Sequence, residues 1–139
     1  AGTGVRVVGV IDRSGHVFDA RGIAARTLTA LAERKAAGTP LGGEHVAPAD
    51  AREALRHIAR HALSRPILVD VTADDTAALL IEALEGGMDV VLANKRPLTG
   101  PIASLRALQD RGEAAGRRVR HETAVGAGLP VIDTFRKLV

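Results

Sequence analysis

The sequence has no cysteine, tryptophan or tyrosine, and its phenylalanines are only Phe18 and Phe135. The lack of cysteine excludes disulfides and thiolate chemistry from this stretch. Without a row of aromatics there is no platform for stacking unpaired bases, which argues against single-stranded nucleic-acid binding by that route. No apolar run approaches the ~20 residues that span a bilayer. The opening Ala1-Gly2-Thr3-Gly4 lacks the charged and apolar regions of a signal peptide. A soluble, cytoplasmic domain without a membrane partner is therefore expected. An excess of one charge is also missing, since 19 basic residues face 16 acidic ones for a net +3. Lysine occurs only at Lys35, Lys95 and Lys137. The arginines are mixed with acids along the chain, which is the pattern of a solvated surface, and no nucleic-acid partner is expected. The densest basic cluster, Arg117, Arg118 and Arg120, flanks a predicted strand.

What remains is a chain of 139 residues, 46% of them hydrophobic, with much alanine. That is the size of one domain whose core is Val, Leu, Ile and Ala. Residues 5–11 (VRVVGVI) form a β-branched run that ends in a turn at Asp12-Arg13-Ser14-Gly15, and residues 16–18 extend it as an edge. A helix is predicted over residues 22–37, with Ala24, Leu28 and Leu31 on one face and Lys35 next on it. Gly38 and Pro40 close it. A second helix is predicted over 48–63, with Ala51, Leu55, Ile58 and Ala62 buried. Strand 67–72 (ILVDVT) precedes a helix opened by Asp74 and Asp75 and running to Glu85, with Leu79, Leu80, Ala83 and Leu84 inward. Strand 88–93 follows. Next come a helix from Pro101 with Ile102, Leu105 and Leu108 buried, a short strand over 118–122, and a last helix after Pro130 with Val131, Phe135 and Leu138 on one side.

Strands alternating with helices specify an α/β fold, a parallel sheet with right-handed crossovers and helices on both faces. The glycine-rich G-x-G-x-x-G loop that opens a dinucleotide-binding unit is absent after the first visible strand. The chain is expected to begin after the first βα unit of a Rossmann-like sheet, so that residues 1–139 form a partial domain.

Several positions carry chemistry in this pattern. Asn94-Lys95 follows the apolar run Val90-Val91-Leu92-Ala93, at the strand end where open α/β sheets bind ligands. An ammonium there can bind a phosphate, a substrate oxygen or developing charge; a loop lysine in solvent is the other reading. Asp12 ends a strand and Arg13 follows it. In a Rossmann order an acid binds the adenosine ribose hydroxyls and a nearby arginine accommodates a 2′-phosphate; a plain Asp/Ser/Gly turn is the alternative. Thr72-Ala73 is small enough for a cofactor to approach the backbone, and the threonine alternatively caps the next helix. The turn Gly126-Ala127-Gly128-Leu129-Pro130 could cradle an anion with its amides or ligate a hard cation with its carbonyls. His57 and His61 are spaced i, i+4 but lack the glutamate of a zinc motif, and read as a solvated face.

Three motifs occur in an order that resembles the nucleotide-binding domain of homoserine dehydrogenases. They are Asp70-Val71-Thr72, Ala93-Asn94-Lys95-Arg96-Pro97, and the stretch H-E-T-A-V-G-A-G-L-P-V-I over 121–132. The stretch over residues 6–15 also looks like that family's second strand and turn. The resemblance implies a Rossmann-like domain carrying NADP or NAD, in an enzyme that interconverts homoserine and aspartate 4-semialdehyde. It implies that Lys95 is catalytic or cofactor-binding and that Thr72 contacts the cofactor. With Asp12, Arg13, Ser14, Ala73 and Asn94 these form the expected cofactor set. It further implies a monovalent, sodium-like cation held by groups of Glu122, Val125, Ala127 and Leu129, mostly backbone carbonyls, and a homodimer in the intact protein. The family's first strand, which is normally central, and its catalytic and dimerisation region have no counterpart here. The stretch taken alone is thus expected to be inactive and to leave strand edges unpaired. The alternatives are another nicotinamide enzyme of amino-acid metabolism, a non-catalytic nucleotide-binding or regulatory module, and a basic nucleic-acid-binding domain.

Overall fold

The computed structural model describes residues 4–42, 50–124 and 129–138. The chain divides into two compact units, residues 1–63 and 64–139. In the N-terminal unit, β1 (Gly9–Asp12) pairs antiparallel with β2 (Gly15–Phe18) in the register Gly9↔Phe18 to Asp12↔Gly15. The edge extension expected at residues 16–18 is therefore the return strand of a hairpin, and β1 joins no parallel ladder among the described residues. The reversal has a local cause: Asp12 Oδ1 accepts both the Ser14 amide (2.7 Å) and the Ser14 hydroxyl (2.6 Å), closing the chain on itself. Val5 and Val7 precede the ladder and are exposed.

Helix α1 spans Ala25–Ala36 and buries Leu31; Ala24, assigned to the inner face, is exposed. Helix α2 spans Ala51–Ala59. It starts at Asp50, whose carboxylate accepts the Arg52 amide at 2.9 Å. Pro48 lies outside the described residues. Ala54, Leu55 and Ile58 are the buried face that α2 lays on the hairpin, whereas Ala62 lies beyond the helix and is exposed.

The C-terminal unit carries the parallel sheet, ordered β3 (Ile67–Asp70), β4 (Asp89–Leu92), β5 (Val119–Arg120). Leu68 pairs with Val90 and Asp70 with Leu92, and these positions share the better-buried face. Ile67 and Val69, on the opposite face of β3, are exposed. Helices α3 (Ala77–Glu85) and α4 (Ile102–Ala114) pack on each other and supply Leu80, Leu84 and Leu108 to the core. Gly112 lets α4 approach closely, since a Cβ there would lie 3.1 Å from Val119 and 3.2 Å from the Arg117 carbonyl. Both helices end on a glycine with positive φ, Gly87 at 83° and Gly116 at 63°. Met88 N–H then bonds the Ala83 carbonyl and Arg117 N–H bonds that of Gly112, which turns the chain into β4 and β5.

Several expected boundaries move. Strand 67–72 stops at Asp70, and the helix expected from Asp74 starts at Ala77. Glu122, expected in a strand, lies in the 3-10 turn Glu122–Ala124. Ile102, assigned to the core, is 67% exposed because it opens the first turn of α4. Helix α5 (Val131–Leu138) exposes Val131, Phe135 and Leu138.

Candidate functional site

The carboxyl edge of the parallel sheet gathers Thr72, Ala73, Asn94, Lys95 and Glu122 just beyond the ends of β3, β4 and β5. This is the edge at which open α/β sheets take their ligands. At its centre is Asp70, only 5% exposed. One carboxylate oxygen accepts the Thr72 amide (2.9 Å) and hydroxyl (2.8 Å). The other accepts the Thr76 hydroxyl (2.5 Å) and the Asn94 side-chain amide (3.0 Å). Burial pushes the Asp70 carboxyl up, but the Thr76 hydroxyl, the Thr72 amide and Asn94 outweigh it and hold it below the ordinary carboxylate value. Four donors fill the acceptor sites of an ionised carboxylate.

This network explains the shortened strand. The Thr72 amide bonds the Asp70 side chain instead of a neighbouring strand. Thr72 is not the cap of the following helix; that place belongs to Thr76, whose hydroxyl is spent on Asp70. The Thr72 hydroxyl has donated its proton and accepts from Asn94, so it offers a ligand only one remaining lone pair.

Asn94 is 2% exposed. Its side-chain NH2 faces oxygens only, those of Asp70, Asp74 (2.8 Å), Thr72 (3.1 Å) and Thr76 (3.2 Å), and its carbonyl accepts the Arg96 amide at 3.0 Å. Every polar atom of that side chain is engaged inside the protein, so Asn94 is built to hold the loop. Lys95 is exposed, and no ion pair or side-chain hydrogen bond holds it among the described residues.

Beyond β5, the Thr123 hydroxyl donates to the Leu92 carbonyl at 2.8 Å, tying the Glu122–Ala124 turn to the end of β4. Glu122 has a buried carboxylate oxygen, Oε2, with no hydrogen-bond partner among the described residues. An orphaned hard anionic oxygen suits a cation. Leu129, in the same expected set, has its carbonyl accepting the Val131 amide at 2.8 Å, which leaves one lone pair. Val125 and Ala127 lie outside the described residues, as do Gly126 and Gly128. No cluster of three or more His, Cys, Asp or Glu suited to a metal occurs among the described residues.

A second polar cluster sits at the hairpin turn of the N-terminal unit. Lys35 of α1 places its ammonium 2.6 Å from Asp12 and 3.2 Å from the Ser14 hydroxyl, which also accepts the Leu41 amide at 2.8 Å. Burial raises the Asp12 carboxyl, and the bonds from Lys35 and Ser14 bring it below its ordinary value. Arg13 at the tip of the turn is exposed. His57 and His61 are exposed on α2, yet they are not merely solvated: their rings pack against Phe18, with centroids 5.6 and 4.5 Å away.

Asp70, Thr76 and Lys35 are the residues that sequence reasoning missed. Asp70 sits in the D-V-T motif and ends a strand, which is a signal. Lys35 lies on the apolar stripe of its helix, and only the tertiary fold reveals its partner.

The profile of the family described as "Homoserine dehydrogenase, NAD binding domain" matches residues 2–122. The bifunctional aspartokinase/homoserine dehydrogenase of Haemophilus influenzae is 36% identical over 93 residues, covering 66% of this chain and 11% of that protein. The chloroplastic bifunctional aspartokinase/homoserine dehydrogenase 2 of Zea mays is 29% identical over 137 residues, 97% of this chain and 14% of that protein. Among solved structures, a hyperthermophilic archaeal homoserine dehydrogenase in complex with NADPH superposes with a TM-score of 0.70 at 25% identity, over 94% of this chain and 38% of that one. This chain thus spans well under half the length of each of these relatives.

Proposed function

This chain belongs to the homoserine dehydrogenase family, in its NAD-binding domain, and on that premise we propose that it binds NAD(P) for the interconversion of L-homoserine and L-aspartate 4-semialdehyde. The observation that carries this reading is Lys95. It is an exposed ammonium just past the end of β4, free of any internal partner among the described residues, between two anchored neighbours. The hydride would be exchanged with NAD(P) when it is bound. Lys95 donates a hydrogen bond to the substrate oxygen at C4 and stabilises the negative charge that grows on it in the reducing direction. Ala73 leaves the backbone approachable, and Thr72 presents an acceptor oxygen to the cofactor.

At the hairpin turn, Asp12 would meet the adenosine ribose and Ser14 would hold the turn, while Lys35 and Arg13 set two positive charges against the one negative charge of Asp12. This donor set fits a 2′-phosphate, which favours NADP over NAD. Glu122, Val125, Ala127 and Leu129 are the residues that would hold a monovalent cation, as the family resemblance implies.

The test is Lys95→Met in the natural full-length protein, followed by homoserine-dependent reduction of NADP. Loss of one donor to a developing oxyanion costs about 100- to 1,000-fold in kcat, and a loss of that size is the expected result. Unchanged kcat would refute the role of Lys95.

A further inference from the structure

We propose that Asp70 is a positioning residue for Lys95, acting through Asn94, and that Thr76 holds Asp70 in the orientation this requires. The proposal rests on the reading of Lys95 above. The last backbone bonds between β3 and the chain leaving β4 run from the Ala93 amide (2.9 Å) and the Asn94 amide (3.2 Å) to the Asp70 carbonyl. Beyond them, side chains hold the turn. Asn94 is pinned by the Asp70 carboxylate and the Asp74 carbonyl on one side, and accepts the Arg96 amide on the other. Lys95 is the residue enclosed by that loop. Its Cα is thereby fixed from both sides, although no ion pair or hydrogen bond holds its side chain among the described residues.

Asp70 can do this only while its carboxylate faces Asn94. Thr76 secures that orientation: its hydroxyl bonds the same oxygen, Oδ2, that receives the Asn94 amide, and the two Thr72 donors occupy the other. All of these groups lie within one unit, at the end of β3, in the segment leading to α3 and just past β4. Val90 and Leu92 seat β4 in the core, and Pro97 is buried two residues past Lys95. Between these two apolar anchors the loop that carries Lys95 is held by the network.

The experiment compares wild type, Asp70→Asn, Thr76→Val and Thr76→Ser in the natural full-length protein, each alone and combined with Lys95→Met. Steady-state homoserine oxidation gives kcat and KM, and NADPH binding is followed separately by nicotinamide fluorescence. Misplacing a catalytic group by a fraction of an ångström costs on the order of tenfold or more, so Thr76→Val is expected to lower kcat about tenfold. The NADPH dissociation constant should stay within about threefold, and Thr76→Ser should restore kcat to within about twofold. Asp70→Asn should act in the same direction and more strongly. In the Lys95→Met background both losses should shrink to less than about twofold, because residues acting through one group are not additive.

Losses of the same factor with and without Lys95 would overturn the proposal. So would a dissociation constant that rises in step with the fall in kcat in the Thr76 pair. If Asp70→Asn does not fold, the Thr76 pair decides the matter alone. Turnover indifferent to Lys95→Met would instead overturn the reading of Lys95 itself, which separates the two failures.

Discussion

Asp12, Asp70 and Asp89 each have a carboxyl held below its ordinary value, and each ties two segments together. For Asp89 the causes are the amide and guanidinium of Arg118, which bond it at 3.0, 3.1 and 2.7 Å and clamp β4 to β5. For Asp12 and Asp70, burial pulls the other way and hydrogen bonds overcome it. A carboxyl with a lowered folded pKa stabilises the fold fully above its unfolded value, here near 3.8, and loses that contribution as pH falls through the folded value. Thermal unfolding midpoints are therefore expected to hold steady down to about pH 5 and to drop as pH falls below about 4. A midpoint that rises on acidification would contradict the assignment. At the hairpin turn, Lys35→Ala should weaken NADPH binding about 10- to 100-fold while leaving NADH binding within about twofold, since a charged hydrogen bond is worth roughly 1.5–3 kcal/mol and NADH lacks the 2′-phosphate. Equal losses for both nucleotides would place Lys35 elsewhere.

In the C-terminal unit, α4 fits closely against β5 and α3. Gly112 meets Val119 at 3.1 Å, the Arg117 carbonyl at 3.2 Å and Leu84 at 3.8 Å from the position of a Cβ. The backbone carbonyl cannot give way, so Gly112→Ala should destabilise the protein by about 1–3 kcal/mol despite its better helix propensity. Unchanged or raised stability, measured by denaturant unfolding, would mean that α4 shifts freely. Element types were legible in the sequence because period and punctuation are local: apolar spacing marked α2, α3 and α4, and Gly86-Gly87 marked the end of α3. Their ends were less legible where a side chain takes over a backbone donor. Strand 67–72 stops two residues early because Asp70 captures the Thr72 amide, and the helix after it starts late because Asp70 also captures Thr76. The hairpin was misread as a strand with an extension because its reversal depends on Asp12 capping Ser14, a contact that strand propensity does not report.

For the whole molecule, alternation of strands and helices pointed to a parallel sheet, and the C-terminal unit has one. The N-terminal unit is an antiparallel hairpin with two helices. Its valine-rich opening reads like a buried strand, although Val5 and Val7 are exposed. The exposed place of Lys95 just past β4 was legible from the buried strand before it. Asp70, Thr76 and Lys35 were not, because their partners lie up to 24 residues away in sequence and no periodicity links them. The central claim is that this chain provides the nucleotide-binding part of a homoserine-oxidising enzyme. The most direct measurement is the initial rate of NADP reduction by the natural full-length protein as L-homoserine is varied. The account predicts a rate that saturates in both homoserine and NADP. Saturable NADPH binding with no homoserine-dependent turnover would contradict it and leave a nucleotide-binding module in its place.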